Sequence, residues 1–183
     1  EDISRIYPHD EVLAHVLGYT TLPQAQDQED QKPQEAGPIG RLGVEATYDQ
    51  FLRGKIGQKL IEVDAAGKKI SILGENEPKE GRNIHLTIDE DLQKVAYDLL
   101  KGQVDKDGYK GALVIQKPQS GEILSLVSLP SFDPGNITQY LENEDKPFFN
   151  RAVGGTYPPG SIFKIVSALA GLESQAISRD TEI

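Results

Sequence analysis

The sequence contains no cysteine, so it can form neither a disulfide bond nor a thiolate metal site. It has no apolar run of about 18 residues, the length of a membrane-spanning helix, and no signal-peptide pattern at its start. Basic residues are few: 19 Lys and Arg stand against 29 Asp and Glu, a net charge of -10. Because binding to a phosphate backbone needs clustered Lys and Arg, this balance argues against nucleic acid as a partner.

Methionine is also absent and the first residue is Glu1, which indicates a segment of a longer protein. The 183 residues, 37% of them hydrophobic, are enough for one small domain and part of another. Residues 23–38 are mostly Gln, Glu, Asp and Pro, a composition that buries too little apolar surface to offset the entropy of ordering. We therefore expect a flexible loop there.

The first half of the chain shows the patterns of a small α+β unit. Apolar residues spaced i, i+4, i+7 and i+8 over residues 44–52 predict an amphipathic helix, and Gly54 stands where a left-handed cap would end it. Residues 59–63 and 69–73 flank a turn sequence and predict a hairpin. Two further short strands are predicted, at residues 14–20 and 82–88.

A second unit begins near Thr87. Its first element is a predicted helix that begins at Thr87 or Asp89 and ends at Gly102. A second hairpin follows, with strands at residues 111–115 and 122–127 around a Pro-containing turn.

These elements together predict the fold class α+β. We assign residues 1–88 to a small N-terminal domain that contains the loop at about residues 23–38. Residues 89–183 are assigned to the first, incomplete part of a second domain. Within it, residues 129–160 are rich in Pro, Gly and Asn and predict a long loop, which inside a domain is usually functional or incomplete.

The strongest candidate for chemistry is a serine and a lysine three positions apart, in the run YPPGSIFK at residues 157–164. A helix is predicted from Ser161 to about Ser174, and residues i and i+3 of a helix share a face, so the Lys164 amine can reach the Ser161 hydroxyl. A serine hydroxyl needs a nearby base to become a nucleophile. A lysine amine serves as one where burial or a helix dipole lowers its pKa from about 10.4 to near 7. The same helix start favours an oxyanion beside the Ser161 amide.

The S-x-x-K pattern alone is weak, because about one is expected by chance in a chain of this length. Its surroundings are more specific. Residues 157–164, preceded by Asn-Arg-Ala at residues 150–152, closely resemble the acylation motif of class B penicillin-binding proteins of the elongation type, similar to penicillin-binding protein 2. Other segments that resemble this family, in the family's order, are residues 14–19, 40–45, 52–55 and 64–67 (its N-terminal pedestal), 86–93 (the junction) and 111–138 (the first strands of its transpeptidase domain).

The resemblance implies a serine-type D,D-transpeptidase that cross-links peptidoglycan stem peptides ending in D-Ala-D-Ala and is acylated by β-lactams, without a cofactor. Ser161 would be the nucleophile and Lys164 the candidate base. The implied fold is a small pedestal (dimerisation-type) domain followed by the first part of a serine transpeptidase domain. The implied partners are a SEDS-type glycosyltransferase and elongation scaffold proteins. The implied location is the bacterial cell membrane, with a single-pass anchor outside this segment and extracytoplasmic domains.

The chain departs from the family pattern in two ways. Ile162 stands where the family more often has Thr, but it lies between the reactive pair and does not affect the chemistry. The S-x-N and K-T-G motifs are absent from the 183 residues. In the family these motifs supply a second hydroxyl, the site for the substrate carboxylate and one oxyanion donor. Because loss of one such donor costs about 100- to 1,000-fold in rate, we expect this chain alone to be inactive.

Two alternatives remain open. The chain could be a non-catalytic partner-docking module of the cell-wall elongation machinery, or its S-x-x-K could belong to a β-lactamase or β-lactam sensor, which the pedestal-like segment disfavours. Arg151 is interpreted as a brace for the loop before Ser161. The three histidines show no metal-ligand spacing and are interpreted as structural or surface residues, so no metal is predicted: His9, His15 and His85.

Overall fold

The computed structural model describes residues 5–24, 27, 37–55 and 57–181. Helices and antiparallel hairpins both occur, which confirms the predicted α+β class. The chain divides into two units, Glu1–Val153 and Gly154–Ile183. Most of the predicted flexible loop at residues 23–38 lies outside the described residues.

The first helix, α1, spans Asp10–Leu17, so the strand predicted at residues 14–20 is wrong. Asp10 and Glu11 in the first turn favour a helix start, and Gly18, with φ of 80°, ends it. The apolar run at its end fits either period, and a short run cannot separate helix from strand. Only Thr20–Thr21 form a strand, β1, which pairs antiparallel with β2, Ile39–Gly40.

Two short helices replace the single helix predicted over residues 44–52. Helix α2 spans Gly43–Thr47 and helix α3 spans Asp49–Leu52. Tyr48, at φ -112° and ψ 19°, lies outside helical geometry between them. The left-handed residue predicted after them is confirmed, because Gly54 has φ of 69°.

The first predicted hairpin is confirmed as β3, Gln58–Val63, paired antiparallel with β4, Lys69–Asn76. The Asp64 carboxylate orders its turn by accepting hydrogen bonds from the amides of Ala66 and Lys68, both at 2.9 Å. The strand predicted at residues 82–88 is wrong. This segment forms no strand within the described residues, and it is attached by single hydrogen bonds, such as that from the Arg82 amide to the Phe51 carbonyl at 2.7 Å.

Helix α4 spans Glu90–Asp107, and its N-cap is Asp89, whose carboxylate accepts from the Leu92 amide at 2.9 Å. The predicted end at Gly102 is wrong, because the helix continues to a left-handed Gly108 with φ of 68°. A mid-helix glycine costs only about 1 kcal/mol, and packing of Val104 against the core offsets that cost.

The second predicted hairpin is confirmed as β5, Gly111–Gln116, paired antiparallel with β6, Ile123–Leu129. Helix α4 packs on this hairpin, and the buried residues at the contact are Ala96, Tyr97, Val127 and Leu129. Burial of the Val127 and Leu129 side chains stabilises the fold by about 1.5–3 kcal/mol each. The partly buried residues around them include Val12, which brings α1 to the same core.

Helix α1 is bound to the second half of the chain through Glu11. The Glu11 carbonyl accepts from the Ser131 hydroxyl at 2.7 Å, and its carboxylate accepts from the hydroxyls of Tyr97 at 2.8 Å and Tyr140 at 3.1 Å. Residues assigned from the sequence to the first domain therefore share a core with residues assigned to the second. The boundary near residue 88 stays a prediction.

The segment predicted as a long loop, residues 129–160, is ordered by an aromatic cluster around Phe132, which is fully buried. The Phe148 ring lies 4.8 Å from the Phe132 ring, and the rings of Tyr19 and Tyr140 lie at 5.9 and 6.5 Å. The segment contains a 3-10 helix at Ile137–Tyr140 and helix α5 at Arg151–Gly154.

The second unit consists of a 3-10 helix at Gly160–Phe163 that continues into helix α6, Lys164–Glu173. Helix α6 ends near Ser174, whose amide donates to the Ala170 carbonyl at 2.9 Å. The helix predicted from Ser161 to about Ser174 is thus confirmed in extent, with a tighter first turn than an α-helix has.

Candidate active site

The local backbone around Ser161 is set by the residues that precede it. Pro159 adopts φ -65° and ψ -24°, and Gly160 adopts a left-handed φ of 54°. An ideal Cβ at Gly160 would meet no atom within 4 Å, so the glycine is required by its backbone angle and not by a lack of space. Ser161 is therefore presented directly after a sharp turn.

Ser161 and Lys164 lie one turn apart on the 3-10 helix, where the Lys164 amide donates to the Ser161 carbonyl. A 3-10 helix has three residues per turn, so side chains at i and i+3 lie one above the other. The structure thus places the predicted pair on one face, as the sequence spacing requires. Their catalytic roles stay a prediction.

Both side chains of this pair are exposed. Among the described residues, neither the Ser161 hydroxyl nor the Lys164 amine has a hydrogen-bond or ion-pair partner. Desolvation and a fixed partner are what convert such a pair into a nucleophile and a base. The described residues supply the spacing and the orientation of the backbone but not this environment.

Helix α6 carries apolar side chains that remain largely in solvent: Ile165, Val166, Leu169 and Leu172. At 100° per residue they fall within an arc of about 120° on one face of the helix, a distribution typical of a helix that packs this face against another element. The Ser167 hydroxyl, one turn after the pair, donates to the Phe163 carbonyl at 3.3 Å. Ser167 is thus a second serine on the same helix, and its hydroxyl is bonded to the helix's own backbone.

Arg151 braces the segment that leads toward the serine, as the sequence suggested. Its buried guanidinium donates to the carbonyl oxygens of Asp145 at 2.5 Å and of Lys146 and Phe149, both at 3.2 Å. Its amide donates to the Ser128 hydroxyl at 2.9 Å. The Arg151 side chain therefore fixes the backbone of residues 145–151 against strand β6.

The sequence indicated only that His15 is a structural or surface residue, without its contacts. It is buried edge-on to the Phe132 ring, and its Nε2 donates to the Pro147 carbonyl at 2.8 Å. Burial lowers the pKa of the His15 imidazole to about 4, and the positive charge of Arg151 acts in the same direction. Neutral His15 therefore links helix α1 to the braced segment.

Other classes of site are not indicated within the described ranges. No group of three or more His, Cys, Asp and Glu side chains there could hold a metal ion. Across the same ranges, no helix is both long and apolar enough to cross a lipid bilayer.

Comparison with family models gives two matches. The Penicillin-binding Protein dimerisation domain matches residues 1–86. The Penicillin binding protein transpeptidase domain matches residues 111–183, the range that contains Ser161 and Lys164.

Curated relatives match almost the whole chain. The peptidoglycan D,D-transpeptidase MrdA of Acinetobacter baumannii is 36% identical over 99% of this chain and 28% of its own length. MrdA of Escherichia coli K12 is 32% identical over 98% of this chain and 30% of its own length. Penicillin-binding protein 3 of Bacillus subtilis is 35% identical, with 97% and 27% covered. This chain thus spans about three tenths of the length of these relatives.

A solved structure gives the same result for the fold. The complex between penicillin-binding protein PBP2 and MreC from Helicobacter pylori matches with a TM-score of 0.76 and 28% identity. The match covers 97% of this chain and 34% of the solved one.

Proposed function

Since this chain belongs to the penicillin-binding proteins, as a dimerisation domain followed by the start of a transpeptidase domain, we propose that it is part of a peptidoglycan D,D-transpeptidase. The observation that supports this activity is the placement of Ser161 and Lys164 one turn apart, directly after the Gly160 turn and within the matched transpeptidase range.

In the proposed reaction the Ser161 hydroxyl attacks the carbonyl carbon of the penultimate D-Ala of a stem peptide. The Lys164 amine accepts the hydroxyl proton and returns it to the amine of the leaving D-Ala, so that an ester remains on Ser161. The amine of a second stem peptide then attacks this ester, which forms the cross-link and releases the serine. The first amides of a helix have no partner within it, and the Ser161 amide is therefore suited to stabilise the oxyanion.

A β-lactam acylates the same hydroxyl, and intact-protein mass spectrometry measures the adduct. The test uses penicillin with a longer form of the protein that includes S-x-N and K-T-G motifs. We expect one adduct on the longer form, none on Ser161→Ala, and an unchanged adduct on Ser167→Ala, the matched control on the same helix. Lys164→Arg keeps the positive charge but removes the base, so its acylation is expected to be at least about 100-fold slower.

The 183-residue chain is expected to stay unlabelled in the same assay, because it contains neither motif. An adduct on the 183-residue chain would show that the two motifs are not required for acylation. Absence of an adduct on a longer form that is folded by circular dichroism would contradict the nucleophile assignment.

A second role, docking of elongation partners, is favoured by the hairpin β3–β4. Consecutive residues of a strand face opposite sides, and Leu60 and Ile61 are 63% and 44% exposed, so both faces of the hairpin present apolar groups to solvent. The relative from Helicobacter pylori is seen in a complex with MreC. We propose that this protein likewise binds an MreC-type scaffold and a SEDS-type glycosyltransferase, at a membrane to which a single-pass anchor holds it.

Co-purification of the longer protein with each candidate partner tests the docking role. Leu60→Ser and Ile61→Ser are expected to reduce recovery of the scaffold without reducing penicillin labelling. Loss of labelling together with binding would indicate general misfolding, and unchanged recovery would contradict a docking role for the hairpin. Membrane fractionation of the longer protein tests its location.

A further inference from the structure

A cavity of about 660 Å³ lies at the base of the hairpin β3–β4 and differs in charge from the rest of the chain. We call it the cationic cavity, because five of the residues that line it are basic: Arg5, Arg53, Lys55, Lys59 and Lys79. Two carboxylates, Glu75 and Glu80, also line it. The lining is thus cationic, although the whole chain carries a net charge of -10.

Three of the five basic residues have anionic partners. Arg5 pairs with Glu45 at 3.1 Å, Lys59 pairs with Glu75 at 2.6 Å, and Arg53 pairs with Asp49. Within the described ranges, Lys55 and Lys79 form no ion pair, and both side chains are exposed. Their ammonium groups are therefore the two positive charges of the cavity lining without an ionic partner among the described residues.

Lys55 and Lys79 are held opposite each other by the backbone. The Lys55 amide donates to the Lys79 carbonyl at 2.7 Å, and the Lys79 amide donates to the Lys55 carbonyl at 2.8 Å. Residues paired in this way in an antiparallel bridge project from the same face, with Cβ atoms about 5 Å apart. Like charges directly opposite each other are unfavourable, and an anion between them would relieve the repulsion.

Two glycines next to the Lys55–Lys79 bridge allow the two backbone segments to approach each other closely. At Gly54, which has a left-handed φ of 69°, a Cβ would lie 2.3 Å from the Lys79 carbonyl oxygen. At Gly81 a Cβ would lie 2.0 Å from the Leu52 carbonyl oxygen. The two segments thus approach so closely that only glycine fits at either position, and the lysine pair follows from the backbone.

We propose that the cationic cavity is a binding site for an acidic peptide segment, with a carboxylate placed between the ammonium groups of Lys55 and Lys79. The volume is several times that of a single small anion and lies within the range of sites for larger ligands. Leu52 and Pro78 line the same cavity and offer apolar contacts to the carbon atoms of a peptide. The site is independent of the acyl-transfer chemistry at Ser161.

Isothermal titration calorimetry of the 183-residue protein tests this proposal with an acetylated, amidated peptide, Glu-Glu-Leu-Glu-Glu. A peptide with Gln in place of each Glu is the neutral control, and citrate represents a free polycarboxylate. We expect the acidic peptide to bind at 50 mM KCl and to weaken as salt screens the charges, and the neutral peptide to bind at least about tenfold more weakly.

The variant K55Q/K79Q is expected to reduce affinity for the acidic peptide by about tenfold or more. The variant K68Q/K106Q changes the net charge equally at exposed lysines outside the cavity and is expected to bind as the parent does. The variant K55R/K79R keeps both charges and is expected to retain binding. Circular dichroism confirms that each variant is folded.

Three results would overturn the proposal. One is equal weakening by both Gln double variants, which would indicate a general charge effect. Another is binding of citrate without binding of the peptide, and the third is no binding of the acidic peptide to the folded parent protein.

Discussion

The side-chain amide of Gln93 donates to the Val12 carbonyl at 2.7 Å, across 81 positions of the chain. The same amide donates to the Leu126 carbonyl, and its oxygen accepts from the Leu126 amide and the Ser125 hydroxyl at 2.8–2.9 Å. Gln93 is fully buried, so one side chain satisfies polar groups of a helix and a strand at the centre of the core. It connects α1, α4 and β6 by hydrogen bonds that no apolar residue could replace.

Gln93→Leu is expected to lower the free energy of unfolding by about 2–4 kcal/mol. The substitution leaves two carbonyl oxygens, one amide and one hydroxyl without their present partner. Each unsatisfied buried group costs about 1–3 kcal/mol, and relaxation of the surrounding structure reduces the total. Urea denaturation followed by circular dichroism measures the effect. Gln103→Leu, an exposed position on the same helix, is the control and should change stability by no more than about 0.5 kcal/mol. Equal effects of the two variants would contradict the role of Gln93.

His15 should make stability dependent on pH between about 6.5 and 4. Its pKa falls from 6.5 in the unfolded chain to about 4 in the folded one, chiefly because it is buried. Within this window the unfolded chain binds a proton that the folded chain does not, so the free energy of unfolding decreases as pH decreases, by about 3 kcal/mol in total.

Comparison of unfolding curves for the parent and His15→Gln between pH 7 and pH 4 checks this expectation. The variant should lose the part of the slope that is due to the histidine and keep the part due to carboxylates. His85→Gln alters an exposed histidine and should retain the full slope. A parental slope in His15→Gln would show that another group titrates in this range.

Tyr97→Phe is expected to lower the free energy of unfolding by about 1 kcal/mol at pH 7, because the Glu11 carboxylate loses one hydrogen bond. Burial, and then the bond to Glu11, raise the pKa of the Tyr97 phenol above its usual 10. The unfolded chain therefore releases this proton at a lower pH than the folded chain, so stability falls as pH rises above 10. The variant should show a smaller fall in denaturation experiments from pH 9 to pH 11. Tyr109→Phe, at a 73% exposed position, should behave as the parent in both respects.

Gly160→Ala should slow acylation of Ser161 in the longer protein by about tenfold. A Cβ at φ of 54° costs about 1–2 kcal/mol, and this cost is conformational because no atom would contact the added methyl group. Asn adopts this conformation more readily than Ala, so Gly160→Asn should acylate at a rate between those of the parent and Gly160→Ala. Labelling with a fluorescent penicillin over time gives the rates. Gly102→Ala, in the middle of α4 with open space around it, should leave the rate unchanged; a similar loss there would contradict the argument.

Sequence patterns predicted the elements whose signals are local. The two hairpins follow from paired β-rich runs around Asp64–Gly67 and Lys117–Gly121, and the start of α4 follows from the Asp89 cap. The extent of the last helix and the Ser161–Lys164 spacing were equally readable, because they depend only on neighbours in the chain.

The errors arise where distant contacts decide the structure. Helix α1 is fixed by Gln93 and Tyr97, which no reading of residues 14–20 alone could include. Helix α4 continues past Gly102 because residues beyond it, such as Val104, pack on the core. The groups that would desolvate Lys164 and make it a base are also distant in sequence. The S-x-x-K motif therefore predicts the chemistry, but the described residues around Lys164 do not form the environment that this chemistry needs.

The contacts of helix α1 also have a consequence for the order of folding. Its hydrogen bonds to Gln93, Tyr97, Ser131 and Pro147 join residues that are 81 to 132 positions apart. Contacts between such distant residues require closure of long loops and therefore form slowly, whereas each hairpin closes within about 20 residues. Because synthesis proceeds from the N-terminal side, another 132 residues must follow His15 before its partner Pro147 exists. Helix α1 is thus made before its partners and fixed in place only after them.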